Sequence, residues 1–409
     1  MPTWSGAPRP QTATLPGDDE QEATPEAGSD QDWEDETWEE ESWEEGPEEE
    51  SRGGRTFFYQ ELVLTATYSP EGVRGIPPDD PDEDHFELSP RPPNSYAGVD
   101  LIRTFSADSP INRRLLPGWL PLSAIDLHPR LVLDRFEEGD ELDQLRFAPQ
   151  DLWARFNPGG IDRLSLRVGQ FVLPYGVNPP LAPRQKFILP LEAIDLGVKW
   201  DWGIDLKGPA GDHDWEIAAT AGSGEGLHST HLFRGSDRTS YLATARIGAP
   251  TYWDLQYGFS ALYGDLPMIR GPHAFGGASI SRWRTGLDLL YKYGTYLFAG
   301  AQVTYGQDGF RADDRFVMLT GGRTADVLGT RAFADWVVPQ LLDLRLSAQL
   351  ESIVRDLSTS DSDDTAAIFE ISYSLTDSTR LVLDGRLELN SSMGNENNAI
   401  YITFIFYGR

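Results

Sequence analysis

From Lys199 to Lys207 every second residue is Lys, Asp or Gly, and every residue between them is Trp, Ile or Leu. A helix repeats its faces every 3.6 residues and would mix these two sets; a strand sends successive side chains to opposite faces and separates them completely. The pattern recurs along the chain. At 378–390, Arg380, Asp384, Arg386, Glu388 and Asn390 alternate with Leu381, Leu383, Leu387 and Leu389. At 341–351, Asp343, Arg345, Ser347, Gln349 and Glu351 oppose Leu342, Leu344, Leu346 and Leu350, and at 252–263, Asp254, Gln256 and Ser260 oppose Trp253, Leu255, Tyr257, Phe259 and Tyr263. Ionic residues held on one face of so many strands need a wet interior, because burying unpaired charge is costly, and a large closed sheet supplies one.

Segments of this kind fall near 55–68, 96–106, 120–134, 145–156, 162–171, 198–207, 213–221, 239–248, 252–264, 280–292, 295–306, 328–338, 341–355, 365–376, 378–391 and 398–407. Their length of roughly 10–14 residues suits tilted membrane strands better than globular ones. The connections alternate long and short. Long ones lie at 69–95, 135–144, 172–197, 222–238, 265–279, 307–327, 356–364 and 392–397; short ones include Asn157-Pro158-Gly159-Gly160, Gly208-Pro209-Ala210-Gly211, Ala249-Pro250, Gly294, Pro339-Gln340 and Asp377, and only 107–119 breaks the rule. Long loops outside and short periplasmic turns mark outer-membrane barrels. The fold expected is therefore all-β: a closed antiparallel transmembrane β-barrel of about 16 strands over 55–409, both termini periplasmic, preceded by a disordered acidic segment over 1–54. A soluble propeller or sandwich would show a repeat of about 40–50 residues or apolar inward sets, and neither is seen.

The acidic segment holds 18 carboxylates against the single Arg9 within its first 50 residues, part of a net charge of −31, so nucleic acid is excluded as a partner. Rich in Pro, Glu and Asp, it cannot bury enough apolar area to offset chain entropy. A five-residue repeat places Trp33, Trp38 and Trp43 among acids, a pattern suited to anchoring a periplasmic protein or to a solubilising tail. Met1–Gly17 has no basic start, apolar core or small-residue cleavage site, which fits a mature or recombinant form, a start codon placed late, or a cytosolic protein. No run of 18 apolar residues exists for a helical span, and no cysteine for a disulfide or thiolate metal site.

Several residues invite roles. The last strand, Ile400-Tyr401-Ile402-Thr403-Phe404-Ile405-Phe406-Tyr407-Gly408-Arg409, resembles the C-terminal signal by which outer-membrane barrels are recognised for assembly, with Phe404, Phe406 and Tyr407 as its aromatics, although that signal usually ends on the aromatic itself. Arg130, Arg163, Arg167, Arg282, Arg284, Arg345, Arg380 and Arg386 are expected along the inner wall, with Asp201, Asp205, Asp254, Asp343, Asp384 and Glu388 on the same faces; Asp126, Asp134, Asp288 and Glu370 join them, making the wall mixed rather than anion-attracting. Trp153, Trp200, Trp202, Trp215, Trp253, Trp283, Tyr291, Tyr293, Trp336, Phe404 and Phe406 include candidates for aromatic girdles at the membrane borders. The acidic runs at 79–84 and 361–364 lack the spacing of a calcium loop and read as solvated charge. His228 and His231 have no nearby Glu in a zinc-protease arrangement, and no nucleophile motif, phosphate loop or paired catalytic carboxylates stand out, so no metal, cofactor or enzyme activity is expected.

The stretch Leu166-Arg167-Val168-Gly169-Gln170-Phe171-Val172-Leu173-Pro174-Tyr175-Gly176-Val177, followed by Asp195-Leu196-Gly197-Val198 and Gly203-Ile204-Asp205-Leu206-Lys207-Gly208, resembles the phosphate-selective porin O and P family. The resemblance implies a 16-stranded, often trimeric diffusion channel whose third long loop folds inward. Here that loop is 172–197, in which Tyr175, Asn178, Arg184 and Lys186, with Pro179, Pro180, Pro183 and Gln185, suit a rigid polar constriction. The expectation is a Gram-negative outer-membrane porin, in contact with membrane lipid, passing small hydrophilic solutes or ions. The alternative is a barrel that docks or sheathes another envelope component, such as a periplasmic electron carrier, through its acidic tail; an outer-membrane hydrolase would need a Ser/His pairing that is not recognisable.

Overall fold

The structure, a computed structural model, describes residues 54–69, 85–88, 95–135, 143–147, 149, 151–158, 164–176, 200–222, 241–250, 252–267, 279–310, 324–339, 341, 343–354, 357, 363–390 and 398–408. Among these, strands form one closed antiparallel barrel of sixteen staves. In chain order they are β1 (Thr56–Ser69), β2 (His85–Leu88 with Tyr96–Thr104), β3 (Leu122–His128 with Arg130–Arg135), β4 (Asp143–Phe147 with Asp151–Phe156), β5 (Ser165–Val172), β6 (Trp200–Ala210), β7 (His213–Thr220) and β8 (Tyr241–Gly248). Then follow β9 (Leu255–Pro267), β10 (Ser279–Tyr293), β11 (Leu297–Phe310), β12 (Ala325–Val337), β13 (Leu344–Val354), β14 (Asp363–Thr376), β15 (Thr379–Asn390) and β16 (Ala399–Gly408). Each stave pairs with the next, and β16 closes on β1 from Gln60↔Gly408 to Tyr68↔Ile400. Closure leaves no edge of unpaired backbone groups, the condition for crossing a bilayer with strands.

The alternation of long and short connections holds in the structure. β6 and β7 are joined by Gly211 and Asp212 alone, and Gly211 adopts φ +68, a left-handed turn conformation that favours glycine. Sequence reading had ended that strand earlier, at the Gly208-Pro209-Ala210-Gly211 turn; β6 continues through Pro209 to Ala210. The exceptional connection at 105–121 carries a short helix, α1 (Pro110–Leu115), capped by the Ser109 side chain. The start of β1 and the end of β16 lie at the barrel end that carries the short connections.

Which face is inward follows from one cross-barrel contact. Beyond β5 the chain turns so that the Tyr175 hydroxyl donates to Thr304 Oγ1 on β11 (3.3 Å) and the Gly176 N–H to Ser260 Oγ on β9 (3.0 Å), while Leu173 and Tyr175 pack with Leu242 and Leu262. β9 and β11 stand four and six staves from β5, so the segment passes through the interior. The two-residue period then sorts the barrel. Outward residues are apolar and open, as Ile204 (54% exposed) and Leu287 (63%) are, whereas inward Arg284 and Asp384 are each 2% exposed. The interior also has apolar patches: Val63, Val382, Ile405 and Tyr407 cluster at the closing seam, and Val327, Ile353 and Ala366 across β12–β14.

Candidate functional site

The inner wall is the candidate site, and its ionic side chains come in two styles. Near the seam, Glu61 of β1 accepts from Arg130 Nη2 at 3.1 Å, and the Arg130 Cζ lies over the Tyr96 ring, 4.2 Å from its centroid. His128 Nε2 stands 3.1 Å from Glu61 and 3.2 Å from Arg130 Nε, so its tautomer decides which contact is a hydrogen bond. Gly98 lies opposite Arg130 in the register; a Cβ there would come within 3.0 Å of the arginine's Cγ. Further round, Arg167 donates to Asp205 (3.0 Å) and Glu216 (2.9 Å). It faces Arg155 directly across the β4–β5 ladder, and Trp153 takes both guanidiniums, at 5.8 and 4.9 Å. Like charges placed directly opposite repel, and the shared indole face offsets that.

From β8 onward the pairs are plainer. Arg246 grips Asp288 with both Nε and Nη2 (3.2 and 2.7 Å). Asp308 receives two arginines, the fork of Arg282 (2.9 and 3.0 Å) and Nη1 of Arg284 (2.8 Å). Arg345 reaches Asp335 at 3.3 Å and Arg386 reaches Glu388 at 3.5 Å, while Gln349 donates to Glu351.

Of the residues expected on the wall, Arg130, Arg167, Arg282, Arg284, Arg345, Arg380, Arg386, Asp201, Asp205, Asp384 and Glu388 occupy inward register positions. Two do not. Asp254 and Asp343 sit exposed in the short connections before β9 and β13, because both strands begin later than the alternation suggests. Arg163 lies outside the described residues, as do Asn178, Arg184, Lys186 and the tail tryptophans Trp33, Trp38 and Trp43; of the third loop only its start, with Tyr175, is described. Phe404 and Phe406 face outward, but Tyr407 is buried on the inner face, so the three C-terminal aromatics do not form one surface.

Glu61, His128, Arg246, Asp308, Asp335 and Arg331 belong to the wall but escaped the sequence reading of it. Arg246 shares a two-residue period with Thr244 and Gly248, a signal that was available; Glu61 falls between inward Tyr59 and Val63, whose apolar character hides it.

Aromatics divide likewise. On β10, Trp283 beside Tyr263 and edge-on to Tyr305 makes one outward band, and Tyr291 and Tyr293 with Trp336 make another toward the short connections. Trp283 and Tyr291 are eight residues apart, about 26 Å along a strand and about 20 Å along the axis of tilted strands, close to an outer-membrane apolar band. Trp153 is not in a girdle: it faces inward under its arginines, and Trp200 is buried.

No family model matches the chain, and no curated protein sequence does. Solved structures match it over nearly its whole length. A loop L8 deletion mutant of OmpT, an outer membrane protein of Vibrio cholerae, is 12% identical with a TM-score of 0.56, covering 87% of this chain and 100% of that one. An anion-selective porin from Comamonas acidovorans is 10% identical with a TM-score of 0.56, covering 87% and 100%. The outer membrane channel DcaP of Acinetobacter baumannii is 11% identical with a TM-score of 0.54, covering 88% and 98%. At these identities the likeness is one of fold.

Proposed function

We propose that this chain is an outer-membrane channel for passive diffusion of small hydrophilic solutes or ions. One observation carries the reading: the sixteen-stave sheet is inverted relative to a soluble protein, with ionic side chains inside and an apolar, aromatic-banded surface outside. Such an outside is compatible with acyl chains, and ion pairs inside suit a lumen that carries water. The solved outer-membrane channel and porins of the same fold support it. In this reading the short connections, the start of β1 and the end of β16 face the periplasm and the long loops face outside, and three copies form the assembly, as in the trimer form of OmpT.

The third loop sets the size limit in this reading. Its entry is pinned to the far wall through Tyr175 and Gly176; Gly176 has φ +67, and a Cβ there would fall 2.2 Å from the Gln302 amide. Asn178, Arg184 and Lys186 would complete the constriction. The likeness to the phosphate-selective porin O and P family is retained for architecture and inward loop, not for phosphate, since Arg130, Arg167, Arg246 and Arg282 of the wall are each paired with a carboxylate. The docking alternative through the acidic tail has no observation on the described residues in its favour.

Purified protein added to planar lipid bilayers should give stepwise, long-lived conductance increments. Stable insertion with no conductance would replace the channel by a sealed barrel. Gly176→Ala, which cannot keep the pinned conformation without strain, should release the loop and enlarge the increment while leaving the barrel folded.

A further inference from the structure

The one helix among the described residues, α1, lies in the connection from β2 to β3, at the barrel end where β14 and β15 are joined by Asp377 and Ser378 alone. Passive diffusion has no use for it. Asn112 holds the connection against the barrel, yet the residues that follow turn apolar surface to solvent: Leu115 is 76% exposed and Trp119 68%. Arg113 and Arg114, next to them in sequence, are exposed as well. From 103 to 125 three arginines stand against the single Asp108, with which Arg113 shares its charge at 2.8 Å. Exposed Arg55 and Arg103 lie on the adjoining strand ends. An exposed aromatic and leucine beside surplus positive charge suit a partner that is acidic and carries an aromatic of its own.

The chain supplies such a partner at this spot. Residues 39–50 hold eight glutamates and Trp43, with no basic residue among them. They lead into β1 through Gly54, which has φ +81 and sits so close to β2 that a Cβ would fall 2.0 Å from the Thr104 carbonyl oxygen. The Arg55 N–H donates to Thr104 Oγ1 (3.1 Å), and the Thr104 N–H to Arg55 O (2.9 Å). The root of the acidic segment and the root of the helical connection are thus stitched together. Eleven residues separate Gly54 from Trp43, a reach of up to about 36 Å, and a tether that short holds its segment at about millimolar local concentration. Contacts too weak for a free peptide suffice under that condition. We infer that the 39–50 segment docks on the β2–β3 connection of its own chain, with Trp43 on Leu115 and Trp119 and the glutamates toward Arg113 and Arg114. This engages Trp43 on its own barrel and not on a second envelope component.

Because the chain has no cysteine, engineered pairs report the proximity cleanly. Full-length protein in lipid vesicles carries Ser42→Cys with Gly118→Cys, a position where a Cβ meets nothing within 4 Å, and is treated with a short bismaleimide. The control is Ser42→Cys with Asp377→Cys, on the turn at the base of β15, two staves from β1 on its other side. The 42–118 link should form within one chain at least about fivefold faster than the 42–377 link. Arg113→Glu with Arg114→Glu should bring the two rates within about twofold, and so should Trp43→Ser, which leaves the barrel untouched. Salt at about 1 M should narrow the gap, since part of the attraction is between exposed charges. Equal rates in the otherwise unaltered chain overturn the inference. So does a 42–118 link that joins two chains, or a gap that both variants leave unchanged. Quenching of Trp119 by brominated lipid, equal with and without residues 39–50, assigns the patch to the membrane surface instead and overturns it too. None of these readouts depends on current, so the inference and the channel reading fail separately.

Discussion

The staves β9–β13 and the quarter formed by β2–β5 are built from the same alternating code, yet they hold together differently. β9 through β13 are unbroken strands of 11–15 residues with continuous registers, and their inward charges meet in direct carboxylate–arginine pairs. In β2–β5 the ladder is irregular. β3 breaks at Pro129, which has no N–H to give the ladder, and the β3–β4 register slips between Leu122 and Ala124. Side chains take over there. Ser95 Oγ accepts from the Thr65 N–H at 2.9 Å just before Tyr96, and the Asn112 amide accepts from the Leu122 N–H (2.7 Å) and donates to Leu122 O (3.0 Å) and Ser106 O (2.8 Å) like an added strand residue. Where backbone pairing is continuous, the ladder itself holds the wall; where it is broken, side chains also hold the barrel.

That contrast predicts unequal costs for similar losses. The largest should follow Glu61→Ala, which strands Arg130, 7% exposed, against Tyr96 and His128. Removing one member of a buried ion pair costs about 3–5 kcal/mol. Urea unfolding in lipid vesicles should show it as a lower midpoint at unchanged slope; a shift under about 1 kcal/mol would mean that the quarter is supported by something other than its side-chain network.

Asn112→Ala comes next. It deletes three hydrogen bonds to backbone and leaves the Leu122 N–H without its acceptor, worth about 2–3 kcal/mol. Because Asn112 sits on α1 in a connection and not on the wall, conductance and selectivity of the folded fraction should stay at wild-type values. Altered ion selectivity would show that this connection reaches the permeation path.

Much of this architecture was legible in the residues because burial and membrane contact both act with a period of two. Strands whose two faces differ sharply, such as 199–207 and 378–390, were read to within a few residues. The legible signal fades where both faces are apolar: Val63 and Ile405 give no hint that they pack inward at the seam. The division of β3 was missed because Pro129 sits inside an otherwise alternating run and permits strand on either side. Ion-pair partners were not legible at all. Arg167 finds Asp205 and Glu216 only once β5, β6 and β7 are in register, and register is a property of neighbouring strands, not of one. The inward turn of the chain at Tyr175 and Gly176 likewise rests on Thr304 and Ser260, more than 80 residues away, which no local pattern announces.

The smallest effect is expected from Arg284→Gln, which by burial alone should be among the worst. Arg284 is 2% exposed and its guanidinium is 2.8 Å from Asp308. Yet Asp308 keeps the two-pronged grip of Arg282, and the backbone ladders on both sides of β10 are continuous through this position. The cost should be about 1 kcal/mol or less, against several for Glu61→Ala. The double variant Arg282→Gln with Arg284→Gln isolates Asp308 and should cost far more than twice the single change, a non-additivity that a double-mutant cycle reads directly. If the two losses simply add, the arginines do not share Asp308 in the folded barrel, and the distinction between a redundant wall and an indispensable seam fails at the place where it is most clearly drawn.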